Sequence, residues 1–267
     1  MIVDGKTIAR EILAELRREV DTLGTTPVVR AITVSPDSAT ESYLRIKKRQ
    51  AEMAGMTLEV VELQADAGTD EVIHAVISEG ADAVLVQLPL PESINVTEVL
   101  NAIPLEKDAD VLTDVARQAF EENKDGALLP PVVGAVKEIL ERSNVSLKDK
   151  WVAVIGQGRL VGKPVAQWFK HQSVEKVTVF TEDSQVYWNY DILVSGVGKP
   201  HFITPDKLEK PEIIIDAGTS ESGGAIAGDF DPSCAEEAHL FTPVPGGVGP
   251  IAVAYLFKNV LDLVRNK

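Results

Sequence analysis

Apolar positions along this chain fall into two alternating periods. Ile8, Ile12, Leu16 and Val20 recur at helical spacing within Ile8–Leu23, and the β-branched run Val28–Val34 then predicts a strand. The alternation continues with a helix over Glu41–Ala54, a strand over Leu58–Leu63 and a helix over Asp70–Ser78. A strand over Ala83–Leu88 follows, stopped by Pro89 and Pro91. A second series opens with a helix over Val133–Arg142, the strand Trp151–Ile155 and the helix Lys163–His171. Strands over Val177–Phe180, Asp191–Val194 and Ile213–Asp216 come next, and a helix over about Ile251–Val264 closes the chain. Short β-branched runs alternating with longer amphipathic stretches predict parallel sheets with crossover helices, hence an α/β fold. No internal repeat or low-complexity tract interrupts the pattern.

The stretch Ala116–Pro131 is charged and then proline-bearing, which places a domain join there. The expected division is a first domain over residues 1–120, joined by the closing helix 249–267, and a second over 121–248. Composition removes several function classes. A net charge of −15 leaves no excess of Lys and Arg to neutralise phosphates, so a nucleic-acid partner is not expected. The single cysteine, Cys234, excludes an intrachain disulfide and a thiolate zinc site. His74, His171, His201 and His239 lie far apart without metal-ligand spacing, so surface or capping roles and no metal are expected. Met1–Lys6 carries no apolar signal core and no run approaches membrane-spanning length. A soluble protein without membrane contact, most simply cytoplasmic, is the expectation.

Candidate chemistry falls at a few points of this frame. The strand Trp151–Ile155 feeds directly into Gly156-Gln157-Gly158-Arg159-Leu160-Val161-Gly162 and then a helix. A strand, a tight glycine turn and a helix N-terminus make an anion site suited to a dinucleotide pyrophosphate. The spacing is G-x-G-x-x-x-G, one residue longer than the usual fingerprint. Past the next strand, Glu182 and Asp183 could accept from a ribose 2′-hydroxyl and would repel a 2′-phosphate, which leans toward NAD over NADP; Arg159 could still reach a phosphate. Thr242–Pro250 holds three prolines and three glycines, a rigid turn that either connects elements or lets a flat ligand approach main-chain groups.

In the first half, Tyr43 and Lys47 share a helix face one turn apart. An aromatic platform beside an amine suits a flat heterocycle needing proton transfer, although Lys47-Lys48-Arg49 also fits a solvated basic run. Gln87 sits near the carboxyl end of an apolar strand, the edge where open α/β sheets bind ligands, in a structural or a catalytic role. Lys107-Asp108-Ala109-Asp110 is either a capped turn or a carboxylate grip for the amino and ring N–H groups of a pterin.

Together these motifs resemble the methylenetetrahydrofolate dehydrogenase/cyclohydrolase family, in that family's order and through nearly the whole chain. Ser42-Tyr43-Leu44-Arg45-Ile46-Lys47 resembles its S…Y-x-x-x-K helix, and Val86-Gln87-Leu88-Pro89-Leu90-Pro91 its V-Q-L-P-L-P strand end. Lys107–Asp110 is similar to K-D-V-D, Val161-Gly162-Lys163-Pro164 to V-G-K-P, and Gly228-Asp229-Phe230-Asp231 to G-D-V-D. Thr242–Pro250 matches T-P-V-P-G-G-V-G-P throughout.

The resemblance implies two α/β domains flanking a cleft, the second a Rossmann-like doubly wound parallel sheet, in a homodimer. It implies oxidation of 5,10-methylenetetrahydrofolate with NAD or NADP and hydrolysis of the product to 10-formyltetrahydrofolate. Lys47 would be the catalytic lysine, Gln87 its hydrogen-bonded modulator, Tyr43 a stacking partner for the folate ring and Asp110 the pterin anchor. Pro245, Gly246 and Gly247 would line the folate side. Gly156, Gln157, Gly158, Arg159, Gly162, Glu182, Asp183, Gly198 and Thr219 would line the cofactor side.

Three departures stand out. Val111 follows Asp110 where the family has glycine, and Leu129-Pro130-Pro131-Val132-Val133-Gly134 replaces P-C-T-P-x-G. Gln157 takes the place of the arginine of a G-R-S turn that is often linked to NADP. Two other outcomes stay open: a dehydrogenase with weak or absent hydrolysis, and a non-catalytic folate- or nucleotide-binding relative. The intact set of Tyr43, Lys47 and Gln87 argues against the second.

Overall fold

A computed structural model of the chain describes residues 1–181, 189–209, 211–222 and 225–266. By its internal contacts the chain forms two compact units, Arg10–Pro131 with Val253–Lys267, and Met1–Ala9 with Val132–Ala252. Both are α/β.

The first unit is built on helices α1 (Gly5–Val20), α2 (Ser38–Met53), α3 (Thr69–Ile77), α4 (Val96–Asn101) and α5 (Asp114–Glu121). Its strands β1 (Val28–Val34), β2 (Thr57–Leu63) and β3 (Ala83–Val86) form a parallel sheet in the order β2-β1-β3. Val29 is in register with Leu58 on one side and Ala83 on the other. Ile32, Val72, Val76, Val84, Val86, Val99 and Leu100 form its buried core. β3 is buried along its whole length and reads in sequence as an unbroken apolar run, whereas β2, at the sheet edge, is largely exposed and carries Glu59 and Glu62. Asp37 caps α2, its carboxylate accepting from the Thr40 N–H at 2.7 Å. Helices α4 and α5 were invisible to periodicity, having fewer than three turns each. Their signal lies in the caps Asn95 and Thr113, which accept from the N–H groups of Glu98 and Ala116.

The second unit holds α6 (Pro131–Arg142), β4 (Trp151–Ile155), α7 (Gly162–Lys170), β5 (Lys176–Phe180), β6 (Ile192–Ser195) and β7 (Ile213–Asp216). The short antiparallel pair β8 (Ser220–Ser222) and β9 (Ala225–Ala227) precedes β10 (Leu240–Phe241), and α8 (Val248–Arg265) begins here and belongs to the first unit from Val253 on. Five strands form a parallel sheet in the order β10-β7-β6-β4-β5, a Rossmann-like arrangement. The chain starts at β4, builds outward to β5 and returns to β6 on the other side, so the winding reverses between β4 and β6. Ligands of open α/β sheets bind at the carboxyl edge of such a reversal. The opposite, amino edge is pinned by charge. Lys150, just before β4, pairs with Asp191 before β6 at 3.5 Å and with Glu212 before β7.

Helix α8 begins at Val248, three residues before the expected Ile251. Pro250 does not delay it, because a proline in the first turn removes an N–H that has no intrahelical partner anyway. Pro131 opens α6 and Pro164 lies in the first turn of α7 in the same way.

Candidate active site

In the three-stranded unit, α2 presents Tyr43 and Lys47 and the end of β3 presents Gln87. The Lys47 Nζ donates to Gln87 Oε1 at 2.9 Å. The Gln87 Nε2 donates to the Leu88 carbonyl at 2.8 Å, which fixes the amide with its oxygen toward the amine. The Gln87 N–H extends the sheet ladder to the Ile32 carbonyl at 2.8 Å. The turn after Pro104 supplies the third group. Buried Asp108 accepts from the Leu112 N–H at 3.0 Å and the Thr113 N–H at 2.8 Å. Asn259 of α8 donates to the carbonyls of Ala109 and Leu129, each at 2.8 Å. Asp110 therefore projects from a clamped backbone.

Burial lowers the Lys47 pKa below its ordinary value of 10.5, against the opposing pull of Asp110. Burial raises that of Asp110, which Lys47 lowers and Asp108 raises further. Burial thus pushes both groups toward their neutral forms, while their mutual attraction opposes it. Val111, where the family has glycine, takes φ +57°, the left-handed conformation glycine favours. The departure alters the side chain and leaves the turn as a glycine would shape it.

In the five-stranded unit, the glycine turn lies at the reversal between β4 and β6. Gly156 takes φ +103°, and a Cβ there would sit 2.9 Å from the Gly196 carbonyl oxygen. A Cβ on Gly162 would sit 2.0 Å from the Gly156 carbonyl oxygen. Only glycine fits at either place. The Lys163 N–H in the first turn of α7 donates to the Gly158 carbonyl at 3.1 Å, so the helix start adjoins the Gly156–Gly162 loop, where Gln157 and Gly158 are exposed and Arg159 is half-buried. Gly198, at φ +80°, lies against the Thr219 carbonyl, 3.7 Å from where its Cβ would be, so the loops after β6 and β7 adjoin. Pro245, Gly246 and Gly247 form the bend of the Thr242–Pro250 loop, with Gly246 at φ +109°. A Cβ on Gly5 would meet the Gly247 carbonyl oxygen at 1.8 Å, so α1 begins directly on that bend. Glu182 and Asp183 lie outside the described residues.

Two carboxylates that the sequence did not single out as site residues occupy the same sheet edge. Asp216 ends β7, and Asp229 follows β9; both are buried. An acidic residue closing the all-apolar run Ile213–Ile215 was the available signal. Among the described residues no group of three or more His, Cys, Asp or Glu could hold a metal ion. None of the described helices is long and apolar enough to cross a membrane.

Residues 3–110 match the model of the tetrahydrofolate dehydrogenase/cyclohydrolase catalytic domain, and residues 130–267 match that of its NAD(P)-binding domain. The chain belongs to this family. Lys47, Gln87 and Asp110 fall in the part matched to the family's catalytic domain, and the glycine turn in the part matched to its NAD(P)-binding domain. The chain is 34% identical to the bifunctional protein FolD of Staphylococcus aureus over 97% of this chain and 95% of that protein. The methylenetetrahydrofolate dehydrogenase-cyclohydrolase of Trypanosoma brucei, solved with NADP and an inhibitor, is 30% identical with a TM-score of 0.92, covering 100% of this chain and 97% of that one. The silkworm Bombyx mori methylenetetrahydrofolate dehydrogenase is 28% identical with a TM-score of 0.89, covering 99% and 98%. The Campylobacter jejuni FolD structure shares the fold at a TM-score of 0.93 and 24% identity, over 100% and 99%.

Proposed function

We propose that the chain oxidises 5,10-methylenetetrahydrofolate to 5,10-methenyltetrahydrofolate with a nicotinamide cofactor, and hydrolyses that product to 10-formyltetrahydrofolate. The observation that carries this is the Lys47–Gln87 hydrogen bond beside Asp110, in a chain whose two parts match both domains of the family. The glycine turn suits a dinucleotide pyrophosphate, because Gly156 and Gly162 let the loop close tightly on its own backbone, Gly158 stays exposed with nothing nearer than 3.9 Å to its Cβ position, and the start of α7 adjoins the loop. Gly156–Gly162, Gly198 and Thr219 would hold the cofactor, which when bound accepts the hydride.

Hydrolysis adds water across the methenyl carbon, breaks its bond to one ring nitrogen and releases a proton. Lys47, its pKa lowered by burial, is the group we assign to accept that proton. Gln87 accepts from the amine and so directs it. Tyr43, one turn earlier on α2, would stack on the pterin, and Asp110 would bind its amino and ring N–H groups.

NAD is the cofactor we favour. Gln157 stands where an arginine would meet a 2′-phosphate, and Glu182 and Asp183 follow β5 at the spacing of a ribose-binding carboxylate. A homodimer working in the cytoplasm fits the composition and the family. Turnover with methylenetetrahydrofolate and each cofactor, and separately the hydrolysis of methenyltetrahydrofolate, test this function. Native protein should do both, with the lower KM for NAD, while Lys47→Met should abolish hydrolysis and keep the fold. Undiminished hydrolysis in that variant would remove Lys47 from the chemistry, and a strong NADP preference would overturn the cofactor assignment.

A further inference from the structure

The loop that follows β6 is shaped around a carboxylate of the protein's own. Asp229 Oδ2 accepts from the Ser195 hydroxyl at 2.6 Å and the Val197 N–H at 2.7 Å. Its Oδ1 accepts from the N–H groups of Gly198 at 2.9 Å and Lys199 at 2.8 Å. Three successive backbone N–H groups turned onto one point form a concavity that elsewhere grips a phosphate. Here that concavity is filled. Gly198 therefore contributes to the sheet edge by its shape, its N–H being committed to Asp229.

Asp229 is joined to a second carboxylate. Asp216 Oδ1 accepts from the N–H groups of Asp229 at 3.2 Å and Gly218 at 3.0 Å, and its Oδ2 from that of Phe230 at 2.9 Å. The Asp216 N–H donates to the Thr242 hydroxyl oxygen at 2.7 Å, at the first residue of the Pro/Gly loop. Gly218 and Gly228 make room for the pair: a Cβ on Gly218 would lie 2.2 Å from the Asp229 carboxyl carbon, and one on Gly228 2.1 Å from Asp216 Oδ2. Ile155, Ser195 and Asp216 are level with one another across β4, β6 and β7. The pair thus ties three loops together at the edge that carries the glycine turn.

We propose that Asp229 is a positioning residue for cofactor binding, its carboxylate setting the backbone of Gly196–Lys199 against the glycine turn and, through Asp216, against Thr219 and Thr242. Direct packing links the two loops, since Gly156 lies against the Gly196 carbonyl and Gly196 against the Val161 side chain. Burial beside Asp229 raises Asp216 to about 7. Asp229 itself collects four donors, three of them successive backbone N–H groups.

The inference rests on the proposal that this unit binds a nicotinamide dinucleotide, and the experiment separates the two. Asp229→Asn keeps the volume but turns an NH2 group onto backbone N–H donors. In the full chain it should weaken NAD and NADP binding, measured by calorimetry, at least tenfold. Cofactor KM should rise in step while kcat at saturating cofactor stays within threefold, and amide exchange at Val197, Gly198 and Lys199 should quicken. Ser195→Ala, which removes one donor of four, should weaken binding about threefold and decides the matter if Asp229→Asn does not fold. Native-like affinity and exchange in whichever variant folds would overturn the inference. A native protein that binds neither dinucleotide would overturn the underlying function instead.

Discussion

Val111 is a buried β-branched residue held at φ +57°, next to Asp110, whose carboxylate we propose binds the substrate. The left-handed region costs an L-residue about 1–2 kcal/mol that glycine does not incur. Replacing an ordinary buried valine by glycine loses about 2–3 kcal/mol of burial and backbone entropy together. The two effects oppose each other at this position. Val111→Gly should therefore lower stability by only about 1 kcal/mol, read from denaturant midpoints at unchanged slope. A loss of about 3 kcal/mol or more would mean that Val111 sits without strain and that its side chain, rather than the backbone turn, holds Asp110. The clamps on either side, Asp108 to Leu112 and Thr113 and Asn259 to Ala109, should keep the turn closed in the variant.

Among the elements, the glycine turn carries the sharpest steric demand. A methyl group at Gly162 would lie 2.0 Å from the Gly156 carbonyl oxygen, a backbone atom that cannot swing aside. Gly162→Ala should push α7 away from β4, costing roughly 1–3 kcal/mol as an overpacked site does. Cofactor affinity should fall with it, and a variant with native melting temperature and cofactor KM would show the turn to be looser than its geometry.

The turn was legible in the sequence because a strand, its glycines and a helix follow one another directly. For Lys47 and Gln87 helical spacing set the face of one and a strand end placed the other, but spacing alone also fitted a solvated lysine and a structural amide, and the family resemblance is what singled them out. Asp229 could not be found that way. Its four donors come from 30 to 34 residues earlier in the chain, and local pattern carries no trace of that pairing. The first seven strands were legible to within a residue or two from their β-branched runs, while the short β8, β9 and β10, of two or three residues each, gave no such signal. Helix starts were less so: α1, α2 and α8 each begin three residues before the first residue that periodicity marks, because a first turn need not carry the apolar face.

For the whole molecule, charge is the property that composition alone determines. With 26 Lys and Arg against 41 Asp and Glu the chain carries −15, while a dinucleotide cofactor and a folate with its glutamate carboxylates are both anions. At about 10 mM ionic strength the screening length is about 30 Å, so an approaching ligand feels the field of the whole protein; at about 150 mM it is about 8 Å and only the site's own groups matter. Long-range repulsion slows encounter, and salt relieves it. Raising ionic strength across that range should therefore increase kcat/KM for the cofactor by about two- to fivefold. The increase should be larger for NADP, which carries the additional phosphate. A steady fall with salt would mean that Arg159 and Lys163, the cations of the glycine turn and the start of α7, steer the cofactor in against the net charge. In that event neutralising Lys163 should flatten the salt dependence.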